Sequence, residues 1–190
     1  ANQHNLTTAP QLINYLIRNK HFSPFEMANA CVEITTTRDI ARQILRHRSF
    51  SFQEFSQRYA VADLDFQLRE CRLQDTKNRQ NSTQLDYTQD EHRKLAYQWE
   101  NMQKNIQMMC QDTYKWALDH GVAKEQARAV LPEGLIQSRI YMNGTLRSWI
   151  HFIELRSANG TQLEHQAVAR ACASAIAAIF PMASDLVAKN

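Results

Sequence analysis

The densest run of chemistry-bearing side chains in the sequence is "RHRSFSFQEFSQRY", Arg46 to Tyr59. Three arginines, one histidine, three serines, one glutamate and four aromatic rings share this short stretch. A guanidinium is always charged and forks two N–H donors toward a carboxylate or phosphate. Two such cations ~4 Å apart repel by about 4 kcal/mol at an effective dielectric of 20. Glu54 is the one acid inside the segment, so the composition calls for an anion from outside. A phosphate or nucleotide clamp is the chemistry these residues suit. Plainer roles compete with it. Ser51-x-x-Glu54 has the spacing of a helix capping box, and Phe50, Phe52 and Phe55 have the character of packing residues. Arg38, Arg42 and Arg46, four apart, would share one helix face, which for the first two reads most simply as a solvated basic face.

Other routes to chemistry find little support. The seven histidines show neither H-E-x-x-H nor any paired-ligand spacing, so no metal site is expected. There is no G-x-G-x-x-G, no phosphate loop and no G-x-S-x-G, and only four glycines are available for a glycine-rich cradle. Cys31, Cys71, Cys110 and Cys172 lie far apart without a C-x-x-C pair, the usage of reduced thiols in a cytoplasmic protein. Cys172 falls on an apolar helical stripe and Cys31 in a strand, where buried, inert thiols are expected. Lys+Arg at 22 against Asp+Glu at 19 is too even for a dedicated nucleic-acid binder. No apolar run approaches the ~20 residues of a membrane span, so no membrane partner is expected. The chain begins at Ala1 without methionine, as though residues before it had been removed or left out.

The elements that must position these residues follow from periodicity. Thr8, Pro10 and Gln11 open a helix with Leu12, Ile13, Leu16 and Ile17 on one face, broken at Ser23-Pro24. Ala28, Ala30, Val32 and Ile34 then alternate with polar neighbours, as in a strand. Thr36-x-x-Asp39 suggests a capping box, followed by a helix through Ile40, Ala41, Ile44 and Leu45 that delivers Arg46, His47 and Arg48. Leu64 to Asp86 is polar and predicts an exposed loop. Thr88-x-x-Glu91 opens a long helix that Gly121 ends, striped by Leu95, Trp99, Met102, Ile106, Met109 and Trp116. A stripe of roughly 45–50 Å is long for one small domain and fits packing against another helix or subunit. A short helix carries Glu125 and Arg128 to Pro132. Leu135 to Met142 predicts a second strand, and Asn143-Gly144 a turn. Leu146 to Arg156 predicts a helix, and the last helix opens at Thr161-x-x-Glu164 and stops at Pro181. The pattern is α+β or mixed α/β: one helix-rich domain over residues 1–190, with a small central sheet and long helices.

The arginine segment resembles the signature of flavin-dependent thymidylate synthases, R-H-R-x-x-S-x-x-E-x-S-x-R-Y. Arg46, His47, Arg48, Ser51, Glu54, Ser56, Arg58 and Tyr59 occupy all its fixed positions. "HFSPFE" (His21 to Glu26) looks like the family's H-x-[ST]-P-F-E element. "AKEQARAVLP" and "LRSWIHFIELR" resemble its later landmarks. Members usually begin with a strand and a flavin-contacting serine, which would precede Ala1. His151 and Gln53 stand where many members carry asparagine.

The resemblance implies an enzyme converting dUMP to dTMP, with methylenetetrahydrofolate as carbon donor, NADPH as reductant and FAD as cofactor. It implies homotetramers with active sites shared between subunits. His21, Ser23, Glu26, Arg46, His47, Arg48, Arg147, His151 and Leu155 would then surround FAD. Gln43, Glu54, Ser56, Arg58 and Arg128 would hold dUMP, with the arginines on its phosphate. Arg156 would touch both uracil and flavin and, with Ser51, serve catalysis. Methylation at C5 needs an electron-rich ring, which a thiolate adding at C6 can provide. None of the four cysteines lies beside the arginine segment, which agrees with a cofactor route. The reading of another class is a non-catalytic nucleotide- or RNA-binding module that uses the same arginines and rings.

Overall fold

The computed structural model describes residues 7–58, 60–62 and 64–188, and its architecture is α+β. Tyr59, the last fixed position of the arginine motif, lies outside the described residues. In chain order come α1 (Ala9–Arg18), β1 (Asn29–Thr37), α2 (Arg38–Ile44), β2 (Ser51–Glu54), β3 (Arg72–Gln74) and β4 (Ser82–Gln84). They are followed by α3 (Asp90–Asp119), α4 (Lys124–Ala127), β5 (Gln137–Thr145), α5 (Leu146–Arg156) and α6 (Leu163–Ala177). Short 3-10 helices form at Ser23–Glu26, Arg128–Val130 and Pro181–Leu186. One sheet has the order β1-β5-β2, and β3 pairs with β4 alone. The chain clusters into two units, Ala1–Ile34 with His47–Phe52 and Tyr141–Asn190, and Thr35–Arg46 with Gln53–Ile140.

In the first unit α5 packs on α6 and on the 3-10 helices at Ser23–Glu26 and Pro181–Leu186. Trp149, Ile150, Phe152 and Ile153 of α5 and Ala169, Cys172, Ala173 and Ile176 of α6 are buried. Each large side chain so buried contributes about 1.5–3 kcal/mol. Trp149 also satisfies its indole N–H, which donates to the Ala30 carbonyl at 3.0 Å. Thr145 caps α5, its Oγ1 accepting from the Ser148 N–H, and the Leu146 N–H donates to the Ala28 carbonyl at 2.8 Å. Two of the helix's orphan donors are thereby paired. The predicted turn at Asn143-Gly144 does not form, because both residues belong to β5. Gly144 is there for space: a Cβ would stand 2.7 Å from Phe50 Cε1. Phe50 cannot withdraw easily, its ring lying 4.9 Å from that of Trp149.

The second unit is built on Tyr114 and Ala117 of α3, packed with Ala62, Ala127, Leu131 and Ile136. The Tyr114 hydroxyl accepts from the Ala62 N–H at 2.9 Å. α3 has 30 residues, about 45 Å at the helical rise. Its predicted stripe stays exposed along this chain, with Met102 60% and Met109 71% accessible. The Leu64–Asp86 stretch is more ordered than a plain loop. Phe66 bridges to Ile136, and β3 and β4 form an antiparallel ladder with Arg72 opposite Gln84 and Gln74 opposite Ser82. Asp75 Oδ1 accepts the Lys77 and Asn78 N–H groups, which builds the connecting turn without glycine.

Candidate functional site

On the first unit the 3-10 turn that opens Ser23-Pro24 and the exposed side of α5 place the residues assigned to flavin. Proline at the first turn fixes its own φ and lacks an N–H to strand, so the turn starts there. Arg147, His151 and Leu155, four apart, form one exposed row on α5. Arg147 Nη1 donates to Glu26 Oε1 at 2.8 Å. That hydrogen bond, with a second from Thr145, holds the Glu26 carboxyl below its ordinary range. Phe22 lies against His151, ring centroids 5.0 Å apart. His21, Ser23 and Arg147 line a cleft of ≈ 570 Å³. Arg48 and Ser51 are exposed.

His47 and Arg156, 109 residues apart, meet directly: Arg156 Nε donates to His47 Nε2 at 2.9 Å. An imidazole nitrogen that accepts carries no proton, so His47 is neutral with its hydrogen on Nδ1. Burial, reinforced by the Arg156 guanidinium, pushes its pKa down to about 4. The His47 ring stands edge-on to Phe152 at 5.0 Å, and His165 lies 6.3 Å away. His165 is fully buried, and burial, then Arg156, lowers it to about 4 as well. Among the described residues nothing else pairs with Arg156, so its two terminal nitrogens remain available. One edge of this guanidinium is anchored and the other presented.

On the second unit α2 carries Gln43, with Arg46 just past its end. Its first N–H groups donate to the Ile136 and Glu133 carbonyls, at 3.1 Å each. Thr36 is therefore not the cap. The N-cap is Thr37, whose hydroxyl instead donates to Asp39 Oδ1. Arg69 fixes this corner, its Nη2 donating to Asp39 Oδ1 at 2.7 Å and its Nε to the Gly134 carbonyl at 3.1 Å. Arg42 pairs with Glu133, and Arg38 donates to Gln57 Oε1 at 2.7 Å. Their basic face is thus internally engaged. Ser51-x-x-Glu54 is no capping box, since the segment is strand β2. Glu54 accepts from the Ser138 hydroxyl at 2.9 Å, which aims its carboxylate. Ser56 Oγ accepts from the Arg58 N–H, and Arg58 reaches Glu125 at 3.3 Å. Arg128 is half-buried where α4 passes into its 3-10 turn.

The thiols differ from expectation at one position. Cys172 is buried, and burial lifts its pKa to about 12, but Cys31 is exposed on the polar side of β1. Neither His165 nor Arg69 stands out as chemistry in the sequence. For His165 the signal is spacing, because it falls at i with Ala169, Cys172 and Ile176 at i+4, i+7 and i+11 on the buried stripe. Among the described residues no three or more His, Cys, Asp or Glu side chains are grouped to hold a metal, and no helix is long and apolar enough to cross a membrane.

Known proteins resemble this chain in sequence and fold. A "probable flavin-dependent thymidylate synthase" of Paramecium bursaria Chlorella virus 1 is 47% identical over 180 residues, 95% of this chain and 81% of the viral one. The flavin-dependent thymidylate synthase of Synechocystis is 44% identical over 172 residues, 90% of this chain and 76% of its own. Among solved structures, the UMP/dUMP methylase PolB of Streptomyces cacaoi bound with 5-Br UMP superposes with a TM-score of 0.77 at 28% identity, covering 93% of this chain and 80% of the methylase. The family model of the thymidylate synthase complementing protein matches residues 1–182, and the chain belongs to that family.

Proposed function

We propose that this chain is a flavin-dependent thymidylate synthase that methylates dUMP to dTMP, with methylenetetrahydrofolate as carbon donor and NADPH as reductant. The observation that carries the reading is Arg156, held through Nε by a neutral His47 with its terminal nitrogens unclaimed. A guanidinium fixed before its ligand arrives suits charge that develops on a pyrimidine carbonyl during C5 methylation. The relatives' names support the substrate and the flavin.

The first unit fits FAD. The row Arg147, His151 and Leu155 offers a cation, a ring and an apolar side chain, beside a cleft lined by His21 and Ser23. Such a set suits a ligand that is part anion and part flat heterocycle. Glu26 orients Arg147, and Arg48 supplies a further exposed cation on this unit; Arg46, also exposed, is the residue the family resemblance adds from the second unit. Bound flavin would supply the redox chemistry and remove the need for a thiolate at C6. Cys172, lifted to about 12, is unsuited to that nucleophilic role at neutral pH.

Gln43, Glu54, Ser56, Arg58 and Arg128 hold dUMP in this reading, and Ser51 and Arg156 take the catalytic roles. Arg58 is half exposed in its pair with Glu125. Exposed pairs are worth only about 0.2–1 kcal/mol, so a phosphate can take that guanidinium over. The exposed stripe of α3 supports assembly through this face into a homotetramer with shared sites. The test is dUMP-dependent NADPH oxidation with and without methylenetetrahydrofolate, with flavin absorbance read on the same sample. Oxidation yielding dTMP only with the folate is expected. Flavin-free protein that leaves dUMP unchanged and binds RNA in a salt-dependent manner would instead establish the binding-module reading.

A further inference from the structure

α1 and α3 end in the same hydrogen-bonded motif with different residues at its critical position. After α3, the Gly121 N–H donates to Leu118 O and the Val122 N–H to Ala117 O. Gly121 there takes φ +75°, the left-handed conformation this motif requires and glycine adopts freely. After α1, the Lys20 N–H donates to Ile17 O at 3.0 Å and the His21 N–H to Leu16 O at 2.9 Å. Lys20 takes φ +57° and is the one described non-glycine residue with positive φ. A Cβ in this region crowds the backbone and costs stability that glycine would not. An unfavourable local choice points to what the side chain does.

Lys20 lines the ≈ 570 Å³ cleft together with His21, Ser23 and Arg147. Arg147 is ion-paired with Glu26. No carboxylate among the described residues pairs with the Lys20 ammonium. The cleft therefore holds one neutralised cation and one uncompensated cation, the latter on strained backbone. An ammonium on a flexible stem is a point-charge partner for phosphate. We propose that Lys20 binds a phosphate of a dinucleotide seated in this cleft, and that this contact is why lysine occupies a position suited to glycine. This rests on the flavin assignment above, which makes the dinucleotide FAD or the NADPH cosubstrate; the chemistry of the contact is the same for both.

Lys20→Gly removes the charge and the strain together, so the two consequences separate in sign. The melting temperature of the full chain rises by about 2–4 °C, while dinucleotide affinity falls about tenfold. Lys20→Arg keeps the affinity and shows no rise in melting temperature, because its Cβ stays on the same backbone. FAD affinity is read by quenching of flavin fluorescence, and KM is measured for NADPH and for NADH, which lacks the 2′-phosphate. Loss of FAD affinity assigns the contact to the flavin diphosphate. Loss confined to the KM for NADPH, with that for NADH unchanged, assigns it to the 2′-phosphate. Because the contact is a point charge, raising salt erodes the wild-type advantage. A Lys20→Gly protein that melts higher with FAD affinity and both KM values unchanged within twofold overturns the proposal. Wild-type protein that neither binds flavin nor consumes NADPH would refute the flavin assignment itself, a result distinct from any difference between variants.

Discussion

Acid should destabilise this protein well above the pH at which its carboxylates protonate, and the cause is two histidines. His47 and His165 both titrate near 4 in the folded chain against 6.5 for an ordinary histidine. Burial is the first cause for each. Arg156 faces both, the rings themselves face one another, and the apolar surroundings are Phe50 and Phe152. A folded pKa below the unfolded one means that the unfolded chain binds more protons between pH 6.5 and 4, so stability falls as pH drops through that window. At pH 5, His165, fully buried, costs about 2 kcal/mol relative to pH 7.5. His47 is partly exposed, and solvent screening reduces its share to about 1 kcal/mol. The sum, about 3 kcal/mol, corresponds to a fall in melting temperature of about 6–12 °C for a chain this size. The carboxyls of Glu26 and Asp86 are lowered from 4.5 and 3.8. The stability they contribute persists down to their unfolded values and is lost only below, so they do not disturb the comparison. The assay is thermal melting at pH 7.5 and 5.0 at fixed ionic strength and protein concentration, on wild type and on His165→Leu. The variant should lose roughly two-thirds of the pH dependence. Equal wild-type melting temperatures at the two pH values, or an undiminished dependence in folded His165→Leu, would refute the reasoning. Protonated His47 also cannot accept from Arg156, so a histidine NMR titration above pH 6 would count against the anchored guanidinium too.

Gly144→Ala should cost about 1–3 kcal/mol by overpacking against Phe50, measured by denaturant unfolding, and Phe50→Leu in the same chain should recover part of it. Arg128→Ala should weaken dUMP binding by about 1.5–3 kcal/mol with flavin content unchanged; unaltered dUMP affinity by calorimetry would remove Arg128 from the site. A variant with all four cysteines replaced by alanine or serine should retain thymidylate synthesis wherever it folds, and loss of turnover in one folded, flavin-loaded single variant would restore a thiolate mechanism. Replacing Trp99 or Ile106 with glutamate should yield smaller species that release flavin, read by size-exclusion chromatography at protein and flavin wavelengths. A monomer retaining stoichiometric FAD and full activity would contradict the shared site.

How much of this was legible beforehand depends on what each residue was selected to meet. The helices and the strands around Ile34 and Ile140 follow from apolar spacing, because one buried face imposes a period whatever lies opposite. The Ser/Thr-x-x-Asp/Glu patterns read as helix starts or capping boxes, at Thr36, Ser51, Thr88 and Thr161, make no side-chain cap. α2, α3 and α6 have Thr37, Gln89 and Gln162 at the N-cap, and none of these side chains bonds the helix's first N–H groups; the Ser51 pattern lies in β2. At α2 the donors are met by carbonyls about 95 residues away, a solution no local pattern encodes. Asn143-Gly144 has the composition of a hairpin turn, yet Gly144 is required by the Phe50 ring. The same division runs through the site. Arginines suited to an external anion advertise themselves, because Glu54 is the one acid in their own segment. Residues that aim them do not. His47 is visible only as a motif letter until Arg156 arrives from 109 residues on, and Ser138 has no mark of its own until it reaches Glu54. Lys20 falls between these cases. Its charge is ordinary in sequence, and only the backbone angle shows that lysine there has a cost to offset. Groups proposed to face a ligand are thus read from type and spacing, and groups that face the protein are read from geometry alone.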